Sequence, residues 1–99
     1  MEFIFEWDNN KAESNVKRHG VSFVEARTVF NDPLLITYPD DFHSDIEDRF
    51  ISIGYSSHPR MLLVVHTERD AEEENELVIR IISCRVPTAA ERKTYEESY

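Results

Sequence analysis

One cysteine, two glycines and four prolines are all that this 99-residue chain holds of the residues that cross-link, loosen or break a backbone. With Cys84 alone, no disulfide forms within the chain, and a reducing compartment, the cytoplasm, is the expected setting. So little glycine and proline excludes a collagenous or linker-like polymer. No hydrophobic run approaches the roughly 20 residues that a membrane-spanning helix needs. The opening MEFIFEWD has neither a basic stretch nor a long apolar core, so no signal peptide is expected. Positive charge is scarce too. Lys and Arg number 11 against 20 Asp and Glu, a net charge of −9, which argues against a broad nucleic-acid-binding surface. What is present suffices for one globular domain over 1–99, with 40% hydrophobic and 31% charged residues.

The acids are concentrated. Residues 40–48 (DDFHSDIED) and 70–76 (DAEEENE) carry five each and no Lys or Arg. Outside them, 11 bases face ten acids, a balance of +1. Each run reads as a solvated connection or, alternatively, as a site for a basic partner. Phe3, Phe5 and Trp7 alternate with Ile4 and Glu6 as in a short strand. Asp8 then resembles a helix N-cap and Gly20 its C′ residue, with Lys17, Arg18 and His19 in the last turn. Ser22 and Glu25 have the spacing of a capping box for a second helix, which Asn31-Asp32-Pro33 ends. Leu34 to Tyr38, Arg49 to Ser56, Arg60 to Arg69 and Leu77 to Arg85 read as strands. Thr88 and Glu91 cap a terminal helix. The order β-α-α-β-β-β-β-α predicts an α+β domain, a small antiparallel sheet with helices mainly on one face. In a regular last strand, Arg80 and Arg85 fall on opposite faces, five being an odd spacing; a bulge would bring them nearer.

Several ordered pieces resemble one family. They are Phe5-Glu6-Trp7-Asp8 with Lys11 and Asn15, Lys17-Arg18-His19-Gly20, Phe23 with Glu25-Ala26, Asp48-Arg49, Ile53-Gly54, and Arg60 with Leu62-Leu63-Val64-Val65. Thr67-Glu68-Arg69, Arg80-Ile81-Ile82-Ser83-Cys84-Arg85, Glu91-Arg92-Lys93 and Tyr95-Glu96 complete the set. Together, over almost the whole chain, it resembles the BrnT family, the toxin half of bacterial type II toxin–antitoxin pairs. The resemblance implies a RelE-like fold and an endoribonuclease that cuts RNA without metal or other cofactor. It also implies a BrnA-like antitoxin of ribbon-helix-helix type, and operator DNA bound only through that antitoxin. Two toxins with an antitoxin dimer or tetramer are the implied assembly. Cys84 stands where the family usually has a small residue such as Ala, and Val86-Pro87 replaces a basic residue plus Ala. These departures motivate a second reading, a non-catalytic interaction module of the same fold that binds an antitoxin-like partner.

Metal-free RNA cleavage needs a base for the 2′-hydroxyl, an acid for the leaving 5′-oxygen, and cations to offset charge on the phosphorane. Arginine suits the last task through its planar, permanently charged fork. Arg80 and Arg85 are the first candidates, with Glu68 and His66, two apart on one strand face, for proton transfer. Arg49, Arg69, Ser83, Lys93 and Lys11 are candidates for holding substrate. Each has a plainer reading: surface ion pairs for the arginines, a satisfied core histidine for His66, a cross-strand ion pair for Glu68. Phe5 and Trp7 read as core or as base-stacking residues; Lys11, Asn15 and His19 share a helix side that faces RNA or solvent. His43, Asp45 and Glu47 alternate but lack an ordered ligand pattern, so no metal site is expected.

Overall fold

The computed structural model describes residues 2–42 and 48–98. His43, Asp45 and Glu47, with the middle of the first acidic run, lie outside the described residues. Five strands, β1 (Glu2–Glu6), β2 (Ile36–Pro39), β3 (Phe50–Tyr55), β4 (Met61–Asp70) and β5 (Glu76–Arg85), form one sheet in the order β1-β5-β4-β3-β2. Helices α1 (Asn9–His19), α2 (Phe23–Ala26) and α3 (Ala89–Glu96) complete the expected order, and the α+β class stands. The sheet is antiparallel except at one edge, where β1 runs parallel to β5. No helix among the described residues is long and apolar enough to cross a membrane.

Local chemistry sets the helix ends. The Lys11 amide donates to Asp8 Oδ1 at 3.0 Å, and Gly20 closes α1 in the left-handed region at φ 69°. Ser22 accepts the Glu25 amide at 3.0 Å, but the box expected there is only half made, because the Glu25 side chain turns elsewhere. α2 is a single turn that tightens into a 3-10 helix over Arg27–Asn31 before Asp32 and Pro33 end it. At Thr88 the box is complete.

Strand alternation gives the sheet two differently covered faces. Leu62 and Val64 of β4 with Ile79, Ile81 and Cys84 of β5 pack under Val21, Phe23, Ala26 and Val29. Leu63, Met61 and Ile53 pack on the opposite face beneath Tyr95 of α3. Each Val, Leu, Ile, Phe or Met side chain among them, fully buried, contributes about 1.5–3 kcal/mol.

Three polar fastenings hold these layers in register. Beyond Arg80, β1 no longer pairs with β5, and the buried Asn15 amide takes its place at that edge. Its Nδ2 donates to the Cys84 carbonyl at 2.8 Å and to the Val21 carbonyl at 2.9 Å, while Oδ1 accepts the Cys84 amide at 3.1 Å. The buried Glu25 carboxylate accepts from Arg60 Nε at 2.8 Å, Arg60 Nη2 at 2.7 Å and Ser56 Oγ at 2.7 Å, tying α2 to the β3–β4 hairpin. Tyr95 donates its hydroxyl to Asp32 Oδ2 at 2.7 Å, anchoring α3 across the sheet.

Candidate functional site

One inserted residue decides what the sheet presents. Val65 pairs with Ser83 but His66 pairs with Ile81, so Ile82 is an extra residue in β5 and forms a bulge. The parity of β5 therefore changes between its two signature arginines. Arg80 lies opposite Thr67, Ser83 opposite Val65 and Arg85 opposite Leu63, which puts all three on one face. This is the face that α3 covers only at one end, and Arg69 of β4 and Glu6 of β1 share it. The regular-strand expectation of opposite faces for Arg80 and Arg85 is thus corrected. Along the face the two positions remain ~13 Å apart, four residues of β4.

Carboxylates organise these cations. Glu6, opposite Arg80 in the β1–β5 ladder, forms an ion pair with Arg69 and lies 3.9 Å from Arg80 Nη1. The Arg69 hydrogen bond holds its carboxyl below the usual range against the opposing effect of burial. Glu91 grips Arg85 with both oxygens, at 2.7 and 2.9 Å, while its Oε1 also accepts the Thr88 amide at 2.8 Å. The Arg85 fork, aided by that amide, holds the Glu91 carboxyl down to about 2. Sequence spacing identifies Glu91 as a capping residue; its second role depends on the Val86-Pro87 turn folding α3 back over β5. Glu6 stands in the Phe5-Glu6-Trp7-Asp8 piece, but nothing in its spacing signals this pairing, because its partners arrive only through the β1–β5 register.

Beside Arg85 the face hollows into a cavity of about 660 Å³. Ile51, Val65 and Ile82 contribute apolar lining, Ser83 and Arg85 one polar wall, and Tyr38, Asp40 and Arg49 of the β2–β3 side another. Burial, reinforced by the nearby Glu91 charge, pushes the Tyr38 phenol above its ordinary value although Arg85 opposes it. Arg49 and Ser83 therefore lie with Arg85 around one cavity. Lys93, exposed on α3, lies 3.7 Å from Glu97 in an i,i+4 pair. Lys11 is exposed on α1, which packs on the other side of the sheet, so it is not brought to this site.

The proton-transfer pair is also placed elsewhere, and this is the main correction to the expected site. His66 and Glu68 do share a face, but it is the helix-covered one. His66 is fully buried, its Nε2 2.7 Å from Ser52 Oγ, with Phe30 edge-on and Phe50 stacked against the ring. Burial drives its pKa down to about 4, so the ring is neutral at pH 7. Glu68, raised by burial, stands 4.0 Å from His66 Nδ1 at the rim of that core. The sheet itself separates both from Arg80 and Arg85. Phe5 and Trp7 are core-packing residues, and Asn15 is a buried fastening rather than an RNA-facing side chain.

A family model described as the ribonuclease toxin, BrnT, of type II toxin–antitoxin systems matches residues 7–91. The chain belongs to the BrnT family. BrnT-family chains are ribonuclease toxins, so the open arginine face is the natural place to seek their chemistry here. The crystal structure of the Brucella abortus ribonuclease toxin BrnT shares 20% sequence identity and superposes with a TM-score of 0.61, over 89% of this chain and 99% of that one. At that identity the likeness speaks to the fold. No curated protein sequence matches the chain.

Proposed function

We propose that this BrnT-family chain cleaves RNA without a metal, on the open sheet face, and that a BrnA-like ribbon-helix-helix antitoxin neutralises it. The observation that carries the reading is the Ile82 bulge, which gathers Arg80, Ser83 and Arg85 on one accessible face. A base takes the 2′-hydroxyl proton, the O2′–P bond forms, the P–O5′ bond breaks, and the 5′-oxygen gains a proton. Arg80 and Arg69 supply the positive charge where the phosphorane forms, and Arg85, Arg49, Ser83 and Lys93 hold the flanking strand. Glu6 is the carboxylate beside Arg80 on that face and takes the base role first sought in Glu68 and His66. Operator DNA is reached only through the antitoxin, in an assembly containing two toxins.

A second reading has an observation of its own. Arg69 and Arg85 are already paired with carboxylates, which suits a non-catalytic module bound by an antitoxin-like partner. Expression in a bacterial host separates the two. The enzyme reading expects growth arrest, relieved by Arg80→Ala and by co-expression of a neighbouring ribbon-helix-helix gene. Unimpaired growth together with intact cellular RNA leaves only the module.

A further inference from the structure

We propose that the cavity beside Arg85 is a subsite for one unpaired nucleobase of the RNA, and that the base is guanine. The assignment rests on the reading of the chain as an RNA-cleaving enzyme. At about 660 Å³ the cavity falls within the roughly 300–1,000 Å³ of small-molecule sites. Its apolar lining of Ile51, Val65 and Ile82 and the half-buried aromatic ring of Tyr38 suit the faces of a planar base. Single-stranded RNA is read in this way, with a base splayed from its neighbours and set against an aromatic side chain. Position supports the same occupant. Ser83 and Val65 lie one side-chain repeat, ~7 Å, along the face from Thr67 and Arg80, so a base lodged here leaves its own phosphate near Arg80.

Polar chemistry selects among the bases. Of three lining carboxylates, Asp41 is exposed to solvent and both oxygens of Glu91 are engaged by Arg85. Asp40 is the third; it is buried, and its backbone amide donates to the Arg49 carbonyl at 2.8 Å, which fixes it on the wall. Asp40 has a partner of its own, and the about four lone-pair sites of a carboxylate leave room for further donors. Guanine alone offers two adjacent donors, N1–H and the N2 amine, to one carboxylate. Adenine and cytosine place a ring acceptor beside their single amine, and uracil flanks its one N–H with two carbonyl oxygens, so each turns an acceptor toward Asp40. Arg49 and Arg85, also on the walls, keep the attached phosphates in cationic surroundings.

The test is titration of the full chain with guanosine 3′-monophosphate and its adenosine, cytidine and uridine counterparts, followed by two-dimensional NMR. Expected is at least about fivefold tighter binding of the guanosine nucleotide, with amide shifts centred on Ile51, Val65 and Ile82. Asp40→Asn should bring the four nucleotides to within about twofold of one another, whereas Glu73→Gln, on the distant acidic hairpin, should preserve the ranking. If Asp40→Asn does not fold, the wild-type ranking and shift map decide. Equal affinities, no binding into the millimolar range, or shifts confined to another surface overturn the proposal. Guanosine discrimination in a chain that cleaves no RNA would sink the ribonuclease reading and keep the subsite; cleavage with four equal affinities would do the reverse.

Discussion

Replacing Glu25 by Gln should cost the protein stability in a way that depends on pH. Glu25 is buried, yet it is charged because Arg60, Ser56 and, at 3.3 Å, His58 surround its oxygens. The Arg60 hydrogen bond, ahead of the opposing desolvation, holds its carboxyl at about 2 rather than the ordinary 4.5. That displacement corresponds to an upper figure of about 3 kcal/mol. Arg60 is 41% exposed, so water screens part of the attraction and about 2 kcal/mol is the working value. The carboxyl is more acidic folded than unfolded, so its stabilisation is complete above the unfolded value and fades as pH falls toward 2. Glu25→Gln keeps the shape but turns an amide toward the guanidinium. At neutral pH it should lower the melting temperature by roughly 8–16 °C. Urea denaturation of both proteins should show a stability gap that shrinks to less than about half its neutral value near pH 3. A gap of constant size from neutral pH to pH 3 would refute the electrostatic account and assign the loss to packing.

Three further outcomes follow from the fastenings and the core. Asn15→Ala strands the Cys84 amide and carbonyl at a buried sheet edge, and urea unfolding should register a loss of about 2–3 kcal/mol. Gly54→Ala sets a methyl 3.0 Å from Leu35 Cδ1 and 3.3 Å from the Val29 carbonyl; calorimetry should show about 1–3 kcal/mol of destabilisation. Burial pushes the Cys84 thiol up to about 12, so the native protein should resist a thiol-reactive dye at pH 8 and react fully once unfolded in urea.

Much of the fold was legible because its signals are local. Asp8, Gly20, Ser22 and Thr88 bound helices through bonds to residues three or four away, and each of the four later strands reads from its own apolar pattern. The site was less legible because it depends on pairings distant in sequence. Arg80 and Arg85 were readable as candidates, but their shared face hangs on one bulged residue whose existence only the β4 partner reveals. The spacing of His66 and Glu68 puts them on a common face, yet which face the helices cover is a tertiary decision. Val24 illustrates the same limit within α2: it is apolar like Phe23 beside it, yet Val24 is exposed and Phe23 is buried. Glu25 fits a capping box by spacing and is instead captured by Arg60, 35 residues away.

Cleavage of a single-stranded RNA by the purified chain in the presence of EDTA, comparing Arg80→Ala with Glu68→Gln, tests the placement of the chemistry most directly. These residues lie on opposite faces of one sheet, so the two variants separate the faces. Expected is cleavage that persists in EDTA, falls by at least about 100-fold in Arg80→Ala, and stays close to wild type in Glu68→Gln. Loss of activity in Glu68→Gln with Arg80→Ala unimpaired would contradict it and move the reaction to the helix-covered face.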